Sequence, residues 1–256
     1  MKLGFLGTGT IAEAVLTGLC TGADPPPTVV SPRNADRARA LAGRFATVTV
    51  GKDNQAVLDG ADLVFVAVRP QQADDVLKQL RFRRDHRVVS FAALYPMSKL
   101  SLAVAPATAI CRAIPLPSAA MRVGPIAVWP MLPEAVEILA RIGTIVPIAD
   151  ESLLEPVWAT TALMAPFYEQ LRQITSWAVD EGVSPEQAGA YVAALYSAWS
   201  AVASGAGDDL AALRDTSQTL GGLNEQALRI MTNASHYAAL HTALDAVLGR
   251  LRESAV

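Results

Sequence analysis

The residues whose spacing most directly suggests chemistry lie near the start of the chain. Gly7-Thr8-Gly9-Thr10-Ile11-Ala12 has the form G-x-G-x-x-A, between an apolar run at 2–6 and a stretch with Ile11, Val15 and Leu19 at helical spacing. A strand–turn–helix junction of this composition accepts a pyrophosphate. The first glycine permits the tight turn, the second lets backbone approach the phosphates, and the small third residue lets the helix pack closely on the strand. The amides and dipole of the helix N-terminus, here over Thr8, Gly9, Thr10 and Ile11, then hold the anion. The tip of the next strand selects the nucleotide. A carboxylate about 20 residues past the glycines would grip a ribose 2′-hydroxyl. Ser31, 22 residues past Gly9, stands there instead and is followed by Pro32, Arg33 and Asn34. A hydroxyl and a guanidinium suit a 2′-phosphate, which a carboxylate would repel. NADP is therefore expected over NAD, with Ser31 and Arg33 as phosphate partners, while Arg37 and Arg39 read as a solvated helix face.

These residues must be held by an ordered set of elements. β-like runs at 2–6, 28–31, 48–50, 63–68, 87–91, 109–113 and 144–148 alternate with helical patterns at 11–19, 35–45, 72–80, 97–104 and near 133–141. The run at 63–68 is apolar at every position, as a strand buried on both faces should be. Alternation of this kind implies right-handed crossovers. The fold class is α/β, with an N-terminal Rossmann-type, doubly wound, mostly parallel sheet. After Asp150 no β-run follows, and 153–251 reads as helices broken at 181–185, 204–208 and 219–223. Residues 1–150 are expected as the nucleotide domain and 151–256 as an all-α domain.

Composition excludes several function classes. A net charge of −3 argues against nucleic acid as a partner. Two cysteines, Cys20 and Cys111, form neither a disulfide framework nor a metal pair, so a reducing, cytoplasmic setting is expected. No metal-ligand motif is visible. The uncharged stretch 188–207 is long enough to span a bilayer, but it is mostly Ala, Ser and Gly and reads better as a tightly packed, buried helix. His86, inside the charged run 83–87, is expected at the surface, and His236 and His241 at the surface or in an interface. Trp158, Trp177 and Trp199 read as core or dimer contacts.

Four further segments extend the pattern: Asn54, Ala67-Val68-Arg69-Pro70-Gln71, Ser90-Phe91-Ala92-Ala93, and Leu213-Arg214-Asp215 followed by Gly221-Gly222. With the glycine turn and the Ser31–Asn34 tip, they resemble the pyrroline-5-carboxylate reductase family over nearly the whole chain. The resemblance implies an NADP-binding domain and a helical domain that forms a homodimer through the C-terminal helices. It also implies hydride transfer to the C=N bond of a small cyclic imine, pyrroline-5-carboxylate giving proline, or a related substrate. By the same resemblance Asn54 meets the adenosine ribose, and Ala67, Val68, Arg69, Pro70, Ala92 and Ala93 belong to the cofactor site.

The departures from the family pattern cluster where substrate would sit. Ile114-Pro115-Leu116-Pro117 replaces M-P-N-T-P, Met164-Ala165-Pro166-Phe167-Tyr168 replaces S-G-P-A-Y, and Thr219-Leu220-Gly221-Gly222-Leu223-Asn224 replaces S-P-G-G-T-T. Tyr168 is the polar group expected near substrate, or else a packed bundle aromatic. The amides of Gly221, Gly222 and Leu223 are expected to bind a carboxylate. Asn224 is expected either to cap that helix or to meet substrate. Met164 and Leu223 point to a more apolar, larger substrate than the family's usual one. The competing reading is an NADP-binding sensor or partner subunit without reductase activity.

Overall fold

Four consecutive buried positions in Leu3–Leu6 (β1), and again in Leu63–Val66 (β4), mark the two strands at the centre of the sheet, covered on both faces. In the computed structural model, which describes residues 1–255, they are hydrogen-bonded neighbours in an eight-stranded sheet. The other strands are Thr28–Val30 (β2), Val48–Val50 (β3), Arg87–Ser90 (β5), Ala109–Ile114 (β6), Pro125–Trp129 (β7) and Thr144–Pro147 (β8). Their order is β3-β2-β1-β4-β5-β6-β7-β8, with every pair parallel except β6 with β7. The chain winds outward from β1 in one direction to β3 and then restarts at β4 in the other. That reversal opens a crevice above the carboxyl ends of β1 and β4.

Side chains alternate across the sheet. Leu3 and Phe5, with Leu63 and Phe65, face one apolar cluster; Leu6, with Val64 and Val66, faces the other. Phe5 stacks on Phe65 at 4.5 Å between ring centroids, and Phe65 meets Phe91 at 5.2 Å, which ties the end of β5 to the centre. The helices of this part are Thr10–Cys20 (α1), Ala35–Arg44 (α2), Asn54–Asp59 (α3), Pro70–Leu77 (α4), Met97–Ala103 (α5) and Pro133–Leu139 (α6). α4 starts two residues earlier than the apolar pattern proposes, because Pro70 is suited to the first helical position.

Two elements escape the sequence pattern, the strand β7 and the helix α3. α3 is only six residues long and is set by Asp53, whose carboxylate accepts the Ala56 amide at 2.7 Å. Replacing Asp53 by Ala is expected to cost about 1 kcal/mol. That corresponds to a drop of roughly 2–4 °C in thermal midpoint for a chain of this size, measurable by calorimetry or circular dichroism.

His86 corrects an expectation. Far from lying at the surface, it is fully buried; its Nδ1 accepts the Arg83 amide at 3.0 Å, and its ring stands edge-on to Phe82. Burial holds its pKa below the usual histidine range. The run Arg81–Arg87 is charged in sequence, but Phe82 and His86, four apart, turn inward together. Cys111 is buried, its thiol pushed up to about 12 by desolvation, whereas Cys20 is only half-buried.

The chain divides into two compact units: 1–158 together with the residues from Arg250 onward, and Ala159–Gly249. The chain from Leu154 onward is helical: Leu154–Thr160 (α7), most of it in the first unit, is followed by Met164–Asp180 (α8), Pro185–Gly205 (α9), Leu210–Thr216 (α10), Leu223–Asn233 (α11) and His236–Ala255 (α12), whose last residues return to the first unit. The three expected breaks are present. A fourth, at Ser235, whose φ is 59°, separates α11 from α12 and had no Gly or Pro to announce it. α8 packs along α9, where Phe167 meets Tyr196 and Gln170 donates to the Tyr196 hydroxyl at 2.9 Å. Apart from Ala188 and Val192, α9 is poorly buried within the single chain, and Trp177 and Trp199 lie outward instead of in a core. Among the described residues no helix is long and apolar enough to cross a membrane.

Candidate dinucleotide-binding site

β1 delivers the chain into the glycine turn at the crevice. Gly7 has φ +103°, and a Cβ there would lie 2.7 Å from the Ala67 carbonyl oxygen, so the turn requires glycine. Gly9 is the N-cap of α1, with extended backbone and no side-chain cap over the helix amides. A Cβ built on Gly9 would meet nothing within 4 Å, so the space beside it is open. Thr8 is buried, and its hydroxyl has no partner among the described residues. An uncapped helix start, an open face at Gly9 and an orphaned buried hydroxyl together fit a bound phosphate group.

These atoms line a cavity of about 830 Å³, within the usual range for cofactor clefts. Its walls come from the carboxyl ends of four strands: Gly7–Ile11 after β1, Arg33–Arg37 after β2, Ala67, Val68 and Arg69 after β4, and Phe91 after β5; Gln72 of α4 completes the lip. Arg33, Arg37 and Arg69 therefore all line one cavity. Arg33 reaches across it, Nη1 donating to Gln72 Oε1 at 3.3 Å. Arg37 Nη1 donates to Thr10 Oγ1 at 3.4 Å and lies 3.6 Å from the Glu13 carboxylate. Arg37 thus departs from the solvated-face expectation. Arg39 keeps to it, exposed and paired with Asp36 at 2.6 Å.

The remaining expected cofactor residues occupy several places. Ser31 is buried, and its hydroxyl donates to Asn54 Oδ1 at 2.6 Å; neither residue is in the cavity wall. The pair instead ties the end of β2 to the start of α3. Pro70 starts α4 directly behind Arg69. Ala92 and Ala93 are not among the wall residues. The Ala92 amide donates to Ser90 Oγ at 3.2 Å, and the Ala93 carbonyl accepts from the Arg112 guanidinium. Ala35, Asp36 and Gln72 line the cavity without having been singled out in the sequence, while Asn34 and Phe91 fall within the segments quoted for the resemblance.

The expected substrate residues all belong to the helical unit. Met164 and Tyr168 lie on the first turns of α8, both exposed, with Phe167 against Tyr168 at 5.7 Å. Gly222 is the N-cap of α11. The Gly221 amide donates to the Glu225 carboxylate, so the chain supplies its own anion to that amide. Asn224 neither caps the helix nor stands free: its amide donates to the Ser217 carbonyl at 2.7 Å, closing the preceding turn. Leu220 and Leu223 are 99% and 83% exposed. Asn224 borders a second cavity, about 340 Å³, with Trp199, Leu213 and Leu228 among its walls. Among the described residues there is no group of three or more side chains placed to hold a metal ion.

Comparison with known proteins bears on both units. Residues 2–94 match the family model described as NADP oxidoreductase coenzyme F420-dependent, and residues 151–254 match that of pyrroline-5-carboxylate reductase dimerisation. The pyrroline-5-carboxylate reductase of Escherichia coli (strain K12) is 26% identical over 254 residues, covering 95% of this chain and 94% of that protein. The crystal structure of 1-pyrroline-5-carboxylate reductase from Streptococcus pyogenes superposes with a TM-score of 0.84 at 20% identity, over 99% of this chain and 98% of that one. The Plasmodium falciparum pyrroline carboxylate reductase, solved with NADP bound, gives 0.81 at 18% identity over 100% and 98%. A dinucleotide-type first part followed by that dimerisation domain, in one chain matched end to end by relatives of that name, makes this protein similar over its whole length to pyrroline-5-carboxylate reductases.

Proposed function

We propose that this protein is an NADP-dependent reductase that transfers hydride to the C=N carbon of a small cyclic imine, pyrroline-5-carboxylate or a related compound. The observation that carries the reading is the cavity above β1 and β2, where an open glycine face and uncapped helix amides lie beside Arg33 and Arg37. The amides of Gly7–Ile11 would hold the pyrophosphate, and the two guanidiniums would hold the 2′-phosphate. The reduced nicotinamide supplies the hydride. The protein then has to orient the imine and exclude water. A cyclic iminium already carries its proton, so a strong side-chain acid is not obligatory, in keeping with the absence of histidine from the cavity wall. Tyr168, Asn224, Met164 and the Gly221–Leu223 turn form the proposed substrate side. Residues 1–150 serve as the nucleotide domain, and 151–256 as the substrate and dimerisation domain.

Within this reading the geometry at α11 favours a less anionic substrate than pyrroline-5-carboxylate. A carboxylate already sits on the Gly221 amide, and Leu220 and Leu223 flank it with exposed apolar surface. The test is NADPH oxidation, followed by absorbance, with pyrroline-5-carboxylate, piperideine carboxylate and cyclic imines lacking a carboxylate. Turnover is expected with at least one, and higher kcat/KM for the uncharged imines. Tight NADPH binding with no oxidation by any of them would favour a non-catalytic NADP sensor instead.

A further inference from the structure

Arg112 is a charge inside an otherwise apolar strand. It lies in β6 opposite Ser90, at the carboxyl end of β5, and is 5% exposed. Its guanidinium is held at both ends: Nη1 pairs with the Glu151 carboxylate, and Nη2 donates to the Ala93 carbonyl. The same Glu151 oxygen accepts the Met97 amide at 2.7 Å, at the first turn of α5. One ion pair therefore joins β6, the loop after β5 and the turn that follows β8.

Stability alone is a poor reason for such a pair. Desolvating both charges offsets most of their attraction, and apolar side chains of similar volume often serve as well or better. What the pair does fix is the shape of the loop 91–95. Arg112 holds the loop at Ala93. Ser90 Oγ takes the Ala92 amide, and at the far end the buried Tyr95 hydroxyl donates to Asp74 of α4. This fastened loop walls the cavity at Phe91, the end remote from Arg33 and Arg37. With the 2′-phosphate held by the arginines, the rest of a dinucleotide would have to lie on the Phe91 side of the cavity.

We propose that Arg112 and Glu151 are positioning residues, holding the 91–95 loop so that the cavity presents the reactive ring of the cofactor in one orientation. The inference rests on the reductase reading, yet it makes a separate prediction about bound NADPH. Two variants isolate it: Arg112→Met with Glu151→Leu, which replaces the pair by apolar side chains, and Arg112→Lys, which keeps a charge but lacks the second donor.

Dissociation constants, the emission of the bound reduced nicotinamide, its quenching by acrylamide, and kcat are compared with the wild type. The expected result is NADPH affinity within about threefold, greater quenching of the bound ring, and kcat lower by about tenfold or more, since small misplacement of reacting groups is costly. A thermal midpoint close to wild type is expected for the double variant. Arg112→Lys decides the matter if that variant does not fold. Unchanged quenching and unchanged kcat, with only a lowered midpoint, would show a purely structural pair and overturn the proposal. Loss of NADPH binding in folded variants would overturn it too, because the pair would then build the cavity and not orient its contents. Failure of the wild type to bind NADPH would defeat the reductase reading itself and is read before any variant is made.

Discussion

Replacing Arg33 by Ala is expected to weaken NADPH binding by about 10- to 100-fold while changing NADH binding by less than about twofold. Arg33 leans across the cavity onto Gln72, a neutral partner from which it can turn to a phosphate without breaking an ion pair. Charge-assisted hydrogen bonds of this kind contribute roughly 1.5–3 kcal/mol. At 1.4 kcal/mol per factor of ten, that gives the stated range. Arg37 already lies near Glu13 and so offers less free charge, and Arg37→Ala should have a smaller effect in the same direction. Removing both should leave NADPH and NADH nearly indistinguishable. Because these arginines line an open cavity, the preference of the wild type should also shrink as salt rises. Parallel titrations of wild type and the three variants measure all of this. Equal affinities in the wild type, or an unchanged NADPH-to-NADH ratio in Arg33→Ala, would remove the arginines from the assignment.

The glycine turn was readable from sequence because two periodicities meet there. A short apolar run gives way at Gly7 to residues spaced by helical turns, and only a few arrangements accept that junction. The long strands and the change to helix after Asp150 were readable for the same reason. Properties that depend on distant partners were not. The Ser31 hydroxyl is turned toward Asn54, 23 residues on, by the way β2 and α3 meet, and nothing local to Ser31 says so. The periodicity of α2 leaves open which of its arginines faces the crevice. Charge in the run Arg83–Arg87 concealed that His86 faces inward. One signal was present and unused. Arg112 interrupts Ala109–Ile114, and a charge in a buried strand needs a partner, so its sequence context alone called for one.

The two glycines of the turn should fail in opposite ways when each is replaced by alanine. Gly9 has φ −75°, an ordinary value for alanine, and its added methyl would touch nothing in the protein. The Gly9→Ala chain should therefore fold with a thermal midpoint within about 2 °C of wild type. The methyl would, however, occupy the open face where backbone has to approach a pyrophosphate. NADPH affinity should fall by about 100-fold or more, equivalent to roughly 2.7 kcal/mol. NADH should lose as much, since both cofactors share the pyrophosphate. Gly7→Ala meets the protein first. Its φ of +103° is strained for any side chain, and the methyl would press on the Ala67 carbonyl from 2.7 Å. Backbone strain of about 1–3 kcal/mol, plus a similar amount for overpacking, should lower the midpoint by several degrees at roughly 2–4 °C per kcal/mol. Calorimetry without cofactor, followed by NADPH titration, separates the two cases. If Gly9→Ala bound NADPH like the wild type, the pyrophosphate would have to lie elsewhere, and the cavity above β1 would lose its assigned ligand.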